Sequence, residues 1–233
     1  MKIALLGITQ LKLGQYNLKD PRLDQAHKLV EAQKKTCAQV ELVSDKEQVT
    51  ADAILVAKAS FGDLLMQDLD FIETRLGRGP SDAEKVVLQK LSELLMNEVP
   101  VCRAGLTAEE LLAVSAHGFL TNKAVVAATD ADLEAPDALL LRAFAEAGWI
   151  SFLTVGGKEN RAWPIRAGAS AWLAAGTIHT DIQKGFIRAE VLGFADFIAA
   201  GGETEAKRAG KQRLELKEYV VQDYDLLNFR HNK

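Results

Sequence analysis

Short apolar runs alternate with helical patterns through the first 148 residues, and no other feature constrains the fold as strongly. After Lys2, the run to Ile8 carries no polar side chain, as in a strand covered on both faces of a parallel sheet. Asp20 and Pro21 then supply an N-cap and a first helical residue. Leu23, Ala26, Leu29 and Val30 follow with helical period. Residues 38–43 and 53–57 are short apolar strands. Two helices are predicted over about 63–76 and 81–97, joined by Gly77-Arg-Gly-Pro80. Leu65, Leu69, Ile72 and Leu76 stripe the first, and Val87, Leu91 and Leu94 the second, which predicts an antiparallel hairpin. Ser81 with Glu84, and Thr107 with Glu110, have capping-box spacing. Gly118 is the predicted stop of the short helix after Thr107. A strand at 124–128 and a helix over 137–147 complete an α/β pattern.

The pattern changes after Trp149. Residues 151–155 and 162–165 read as strands joined by the polar turn 156–160. A strand at 188–192, a small helix near 196–200 and a strand pair within 219–229 follow. Short strands around small helices suggest an α+β unit, so the expected domains are 1–149 and 150–233. The 233 residues are 48% hydrophobic, enough for a sizeable core, and the net charge of -4 does not advertise nucleic acid. No apolar run approaches the roughly 20 residues of a membrane span, and the N-terminal run is too short for a secretory signal. Cys37 and Cys102 share no ligand spacing, which predicts reduced thiols and a cytoplasmic setting.

Candidate chemistry is sparse. His179 and Asp181 could act as an acid/base pair, but no nucleophile stands beside them, and a structural hydrogen-bonding role is the simpler reading. Asp223 and Asp225 are too thin a shell for a hard cation and read as a turn. Trp149, Trp163 and Trp172 read first as core. Arg161 and Arg166 flank Trp163 in sequence, a pairing that can also stack bases. The candidate partner-binding residues are therefore Arg161, Trp163, Arg166, His179, Lys184 and Arg188. No catalytic or metal-ligating set is assigned. Residues 150–233 hold 12 Lys and Arg against 10 Asp and Glu, so the basic surplus lies in the C-terminal part.

Gly176 to Val191 reads GTIHTDIQKGFIRAEV, and Ala209 to Arg230 reads AGKQRLELKEYVVQDYDLLNFR. Both stretches closely resemble the C-terminal TGS-type domain of the YchF family of Obg-like ATPases. DPRLD at 20–24, KKT at 34–36 and VELV at 40–43 resemble the family's middle G-domain stretch, and FLTNK at 119–123 resembles the approach to its base-recognition motif. The resemblance implies a degenerate G-domain-like α/β sheet, a helical hairpin inserted at about 63–97, and a C-terminal α+β β-grasp (TGS-like) domain. It also implies a ribosome or RNA partner. In the family the turn within 223–225 carries Gly where this chain has Tyr224, which puts a positive φ there in question.

The nucleotide-handling elements of that family are not found here. A phosphate loop G-x-x-x-x-G-K-[ST] cradles phosphates with glycine amides and reaches them with Lys. After Gly7 the chain reads ITQLKLG, with no Gly-Lys-Ser or Gly-Lys-Thr. VSDKEQ at 43–48 stands where the second switch would be, and TDADL at 129–133 stands where adenine would be read. These absences predict a non-catalytic interaction or regulatory protein without a cofactor. The alternative is a nucleotide-binding protein with a rebuilt phosphate site around Lys12 and Gly14. The link from the first strand to a second, at about 13–18, is too short for a crossover helix, which predicts an antiparallel pair. A sheet face left open by the missing helix would need cover from the second domain or a second copy of the chain.

Overall fold

Ile3, Ala4 and Leu5 offer water nothing polar, and in the computed structural model, which describes residues 1–232, none is more than 5% exposed. The strands and helices run β1 (Lys2–Leu6), β2 (Gly14–Asn17), α1 (Pro21–Leu29), β3 (Lys34–Thr36), β4 (Gln39–Val43), β5 (Ala53–Ala57), α2 (Phe61–Gly77), α3 (Asp82–Met96), α4 (Ala108–Ala113), β6 (Ala124–Ala128), α5 (Asp130–Glu134) and α6 (Pro136–Glu146). They continue with β7 (Trp149–Thr154), β8 (Glu159–Arg166), α7 (Ala171–Ile178), α8 (Thr180–Lys184), β9 (Phe186–Leu192), α9 (Phe194–Ala200), α10 (Glu203–Arg208), β10 (Arg213–Glu215) and β11 (Leu226–His231). Two compact units result: Met1–Tyr16 with Val40–Ala147, and Asn17–Gln39 with Gly148–Lys233. The second unit takes in residues 17–39, which the sequence reading assigned to the first domain. Among the described residues no helix is long and apolar enough to cross a membrane.

The first unit is built on a five-stranded sheet of order β2-β4-β1-β5-β6. β1 pairs parallel with β4 and β5, and β5 with β6. No helix occupies residues 8–18, as the short link required, but β2 does not pair with β1. β4 already fills that flank, with Ile3 opposite Leu42. The seven residues from Gly7 to Leu13 need only step one strand further out, about 10 Å, well within their reach.

The helices α2 and α3 form the expected hairpin, and its seam buries Leu65, Ile72, Val87, Leu88, Leu91 and Leu95. Buried Asp68 ties the hairpin down. Its carboxylate accepts from the backbone amides of Leu120 (2.8 Å) and Thr121 (2.9 Å) and from the Thr121 hydroxyl (2.6 Å). The capping box at Thr107 and Glu110 forms, although α4 ends at Ala113, before Gly118. That at Ser81 is only half made. The Ser81 hydroxyl accepts from the Glu84 amide, but the Glu84 carboxylate turns away to Arg75 (2.6 and 2.9 Å) and to His117 Nε2 (2.8 Å). An ion pair with a guanidinium outcompetes a single amide donor.

The second unit carries a six-stranded sheet of order β10-β9-β11-β7-β8-β3. β9 pairs antiparallel with β10 and β11, β7 antiparallel with β8, and β11 parallel with β7. Of the strand pair expected within 219–229, β11 forms, while Val220 makes only an isolated antiparallel bridge to Ser170, and Asp225 accepts from the Gln222 amide and Tyr219 hydroxyl across the turn between them. Phe152, Ile165, Ala171, Ala174, Ala175, Val191 and Phe229 form the core. Residues 17–39 belong here because β3 extends the sheet beside β8, with Lys34 opposite Glu159 and Thr36 opposite Arg161. Fully buried Asn160 donates to the Val30 carbonyl (2.5 Å) and contacts His27 Nδ1 (3.0 Å), fastening α1 across β8.

Candidate functional site

In an open parallel sheet, ligands lie off the carboxyl ends of the strands. In the first unit β1, β5 and β6 end around a cleft of about 610 Å³ lined by Gly7, Gln10, Lys58, Thr129, Asp130 and Leu133, among others. Its walls follow from the strand ends. Gly7 leaves β1 with φ +69°, and a Cβ there would stand 2.4 Å from Ser60 Oγ, so the turn lies flat against the start of α2. Two amides of the following loop have acceptors within it. The Thr9 amide donates to Gln10 Oε1 (3.0 Å), and the Lys12 amide donates to the Tyr16 hydroxyl (3.0 Å).

On the far wall Thr129 and Asp132 form a capping box for α5, and Arg142 adds a 3.0 Å contact to Asp132. The two Thr129 bonds to the Asp132 carboxylate, then Arg142, depress its pKa to about 2. Lys58 is the one cation in the cleft lining, and Lys12 and Gly14 do not line it. Among the described residues no group of three or more His, Cys, Asp or Glu is arranged to hold a metal.

The six partner-binding candidates lie in the second unit on several elements. The Arg161 guanidinium lies 3.9 Å from the Trp163 ring centroid, and Trp163 stacks on Phe152 while donating to Thr154 Oγ1 (2.9 Å). Arg166 does not join them. Side chains alternate across a strand, so Arg166 projects to the opposite face, where it covers Trp149 at 4.5 Å. His179 caps α8, its Nδ1 accepting from the Asp181 amide (3.1 Å). Lys184 ends α8, and Arg188 is exposed on β9.

Two clusters carried no readable signal in the sequence. Glu190, on β9, accepts from Arg230 Nε (2.7 Å), Asn228 (3.0 Å) and Gln212 (3.2 Å). Burial pushes its pKa up, but Arg230 and Asn228 outweigh it and hold the carboxyl below its ordinary range. Arg22 lies between Asp20 and Asp223 and over Tyr224. Tyr224 does adopt the left-handed conformation, at φ 65°.

The division into units sharpens the charge contrast. Asn17–Gln39 with Gly148–Lys233 contains 17 Lys and Arg against 13 Asp and Glu, while the other unit contains 11 against 19. The basic surplus of the second unit is thus +4 and the acidic surplus of the first is -8.

The family model YchF-GTPase_C (Protein of unknown function, DUF933) matches residues 149–232. Over 232 residues the chain is 34% identical to the ribosome-binding ATPase YchF of Haemophilus influenzae, covering 73% of this chain and 64% of that protein. The chain belongs to the YchF family. It is also 47% identical over 96 residues to the ribosome-binding ATPase YchF of Bacillus subtilis, covering 41% of this chain and 26% of that one. The solved structure of the Schizosaccharomyces pombe YchF GTPase shares the fold at TM-score 0.76 and 16% identity, covering 99% of this chain and 97% of that chain. The chain spans under two thirds of the length of the H. influenzae relative, and about a quarter of the B. subtilis one is matched.

Proposed function

We propose that this YchF-family chain is a non-catalytic interaction or regulatory protein that has lost nucleotide binding and acts in association with the ribosome or its RNA. The observation that carries the reading is the turn after β1. It holds no helix and lies against Ser60, and the Thr9 and Lys12 amides are already engaged within the loop. A phosphate site needs a fan of free amides at a helix N-terminus and a lysine beside them. The match to the H. influenzae relative points the same way. It runs over 232 positions while using 73% of this 233-residue chain, so that relative holds internal segments with no counterpart here. On this reading the first unit is a degenerate G domain and the second includes a TGS-like β-grasp.

The relatives' names as ribosome-binding ATPases support a ribosomal partner. Arg161, Trp163, Arg166, His179, Lys184 and Arg188 are the residues we assign to partner contact. Two measurements test the proposal. Isothermal titration with ATP and GTP, with and without Mg²⁺, is expected to give no heat of binding, and micromolar affinity would restore the rebuilt-site alternative. Sucrose-gradient sedimentation at low salt is expected to carry the chain into the ribosomal fractions. Recovery only at the top of the gradient would overturn the ribosomal part of the reading. A second copy of the chain as partner would appear instead as a doubled mass in analytical ultracentrifugation.

A further inference from the structure

Lys34, Thr36, Glu159, Arg161 and Trp163 share one face of the sheet at its β3 edge, since paired residues of β3 and β8 point the same way and alternate residues along β8 share a side. The Lys34–Glu159 ion pair (3.3 Å) agrees with that placement. The opposite face is taken up by α1, through Asn160 to Val30 and His27 and through Lys35 to Asp24. We propose that this β3–β8 edge, with Lys34, Lys158, Arg161 and Trp163, is the docking surface for single-stranded RNA. It deepens the RNA-associated reading above and rests on it.

Three observations favour RNA as the occupant. The edge belongs to the unit with the basic surplus, and the strap of residues 17–39 supplies part of that surplus. Within the edge, Lys34 and Arg161 share a face with one carboxylate, Glu159, and exposed Lys158 lies in the adjoining turn. Glu159 is already held by the Thr36 hydroxyl and Lys34, which keep its pKa below the ordinary range. Lys34 keeps 69% of its side chain exposed and Arg161 38%. The Arg161 guanidinium carbon lies over the indole, 3.9 Å from its centroid, while its approach to Glu159 is a loose 4.0 Å. A planar guanidinium pre-ordered in this way can take a phosphate on its N–H edge and a base on its outer face. Lysines beside it then follow the backbone. Lys158 stands exposed in the turn whose carbonyl accepts from the Lys34 amide (3.1 Å).

The test is fluorescence anisotropy of a labelled 20-nucleotide single-stranded RNA of mixed sequence against the full chain, over a series of salt concentrations. The triple variant Lys34→Gln/Lys158→Gln/Arg161→Gln is expected to bind about tenfold more weakly or worse, with a salt slope smaller by about 2, since each phosphate contact contributes about 0.7. Lys207→Gln/Arg208→Gln/Lys211→Gln removes the same charge elsewhere in that unit and is expected to bind like the parent chain. The double variant Lys34→Gln/Lys158→Gln leaves the stacked arginine in place and should fall between the two. If the triple variant binds normally, or the control weakens equally, the assignment to this edge is overturned while RNA association stands. If the parent chain sediments with ribosomes but ignores the RNA, a protein contact replaces RNA at this surface. If it does neither, the functional reading itself falls.

Discussion

The Arg22 guanidinium lies 3.6 Å from the centroid of the Tyr224 ring, joining the strap of residues 17–39 to the last turn of the sheet. Arg22 also bonds Asp223 (2.7 Å) and Asp20 (2.7 Å), so carboxylates brace it on two sides. Burial pulls the arginine's pKa down, but those carboxylates outweigh it and keep it charged. Tyr224 is 2% exposed, and Phe194 meets its ring edge-on at 5.5 Å. A tyrosine in a left-handed position sets the packing of its buried ring against the strain of its backbone.

Tyr224→Gly tests that balance. Removing the strain should return about 1 kcal/mol, while deleting a buried aromatic costs about 3–5 kcal/mol. The variant should therefore be about 2–4 kcal/mol less stable in urea unfolding. A glycine variant as stable as the parent would show that the ring contributes little.

Asp68→Ala should destabilise the helical hairpin. It strands the Leu120 and Thr121 amides and the Thr121 hydroxyl, with Thr121 fully buried. A loss of about 2–3 kcal/mol is expected, because unsatisfied buried donors keep their full desolvation penalty. Hydrogen exchange should quicken at residues 120 and 121 before it does so in the β1–β5 sheet.

Gly7→Ala should be destabilising for two separable reasons, the positive φ and the clash with Ser60. Adding Ser60→Gly should recover the clash but leave about 1 kcal/mol of backbone strain. Full recovery in thermal melts would mean that the turn had moved.

Acid should weaken the second unit through Glu190. Its folded pKa lies below its unfolded value, so the associated stability is present above the ordinary carboxylate range and is lost as pH falls through the folded pKa. Glu190→Gln should flatten the fall in melting temperature below about pH 4.5. Alkali acts at Tyr219, whose pKa is raised to about 12, by burial first and then by the bond to Asp225. That contribution is intact below pH 10 and disappears as pH rises towards 12, and Tyr219→Phe should remove this dependence.

The sequence by itself determined what depends on near neighbours. β5 and β6 fall where their apolar runs lie, α2 and α3 follow their stripes, and the Thr107 cap closes as its spacing requires. The resemblance carried by residues 176–191 and 209–230 was equally local, a string of residue types. Tertiary structure alone decided which strand lies beside which, and so which residues meet. β4 displaced β2 from the side of β1, Glu84 left its cap for Arg75, and the strap joined β8. Arg166 parted from Trp163 because neighbours in sequence on a strand can face opposite sides. Arg22 found Asp223 across 201 positions, a contact fixed by sheet order and burial, which no local periodicity encodes.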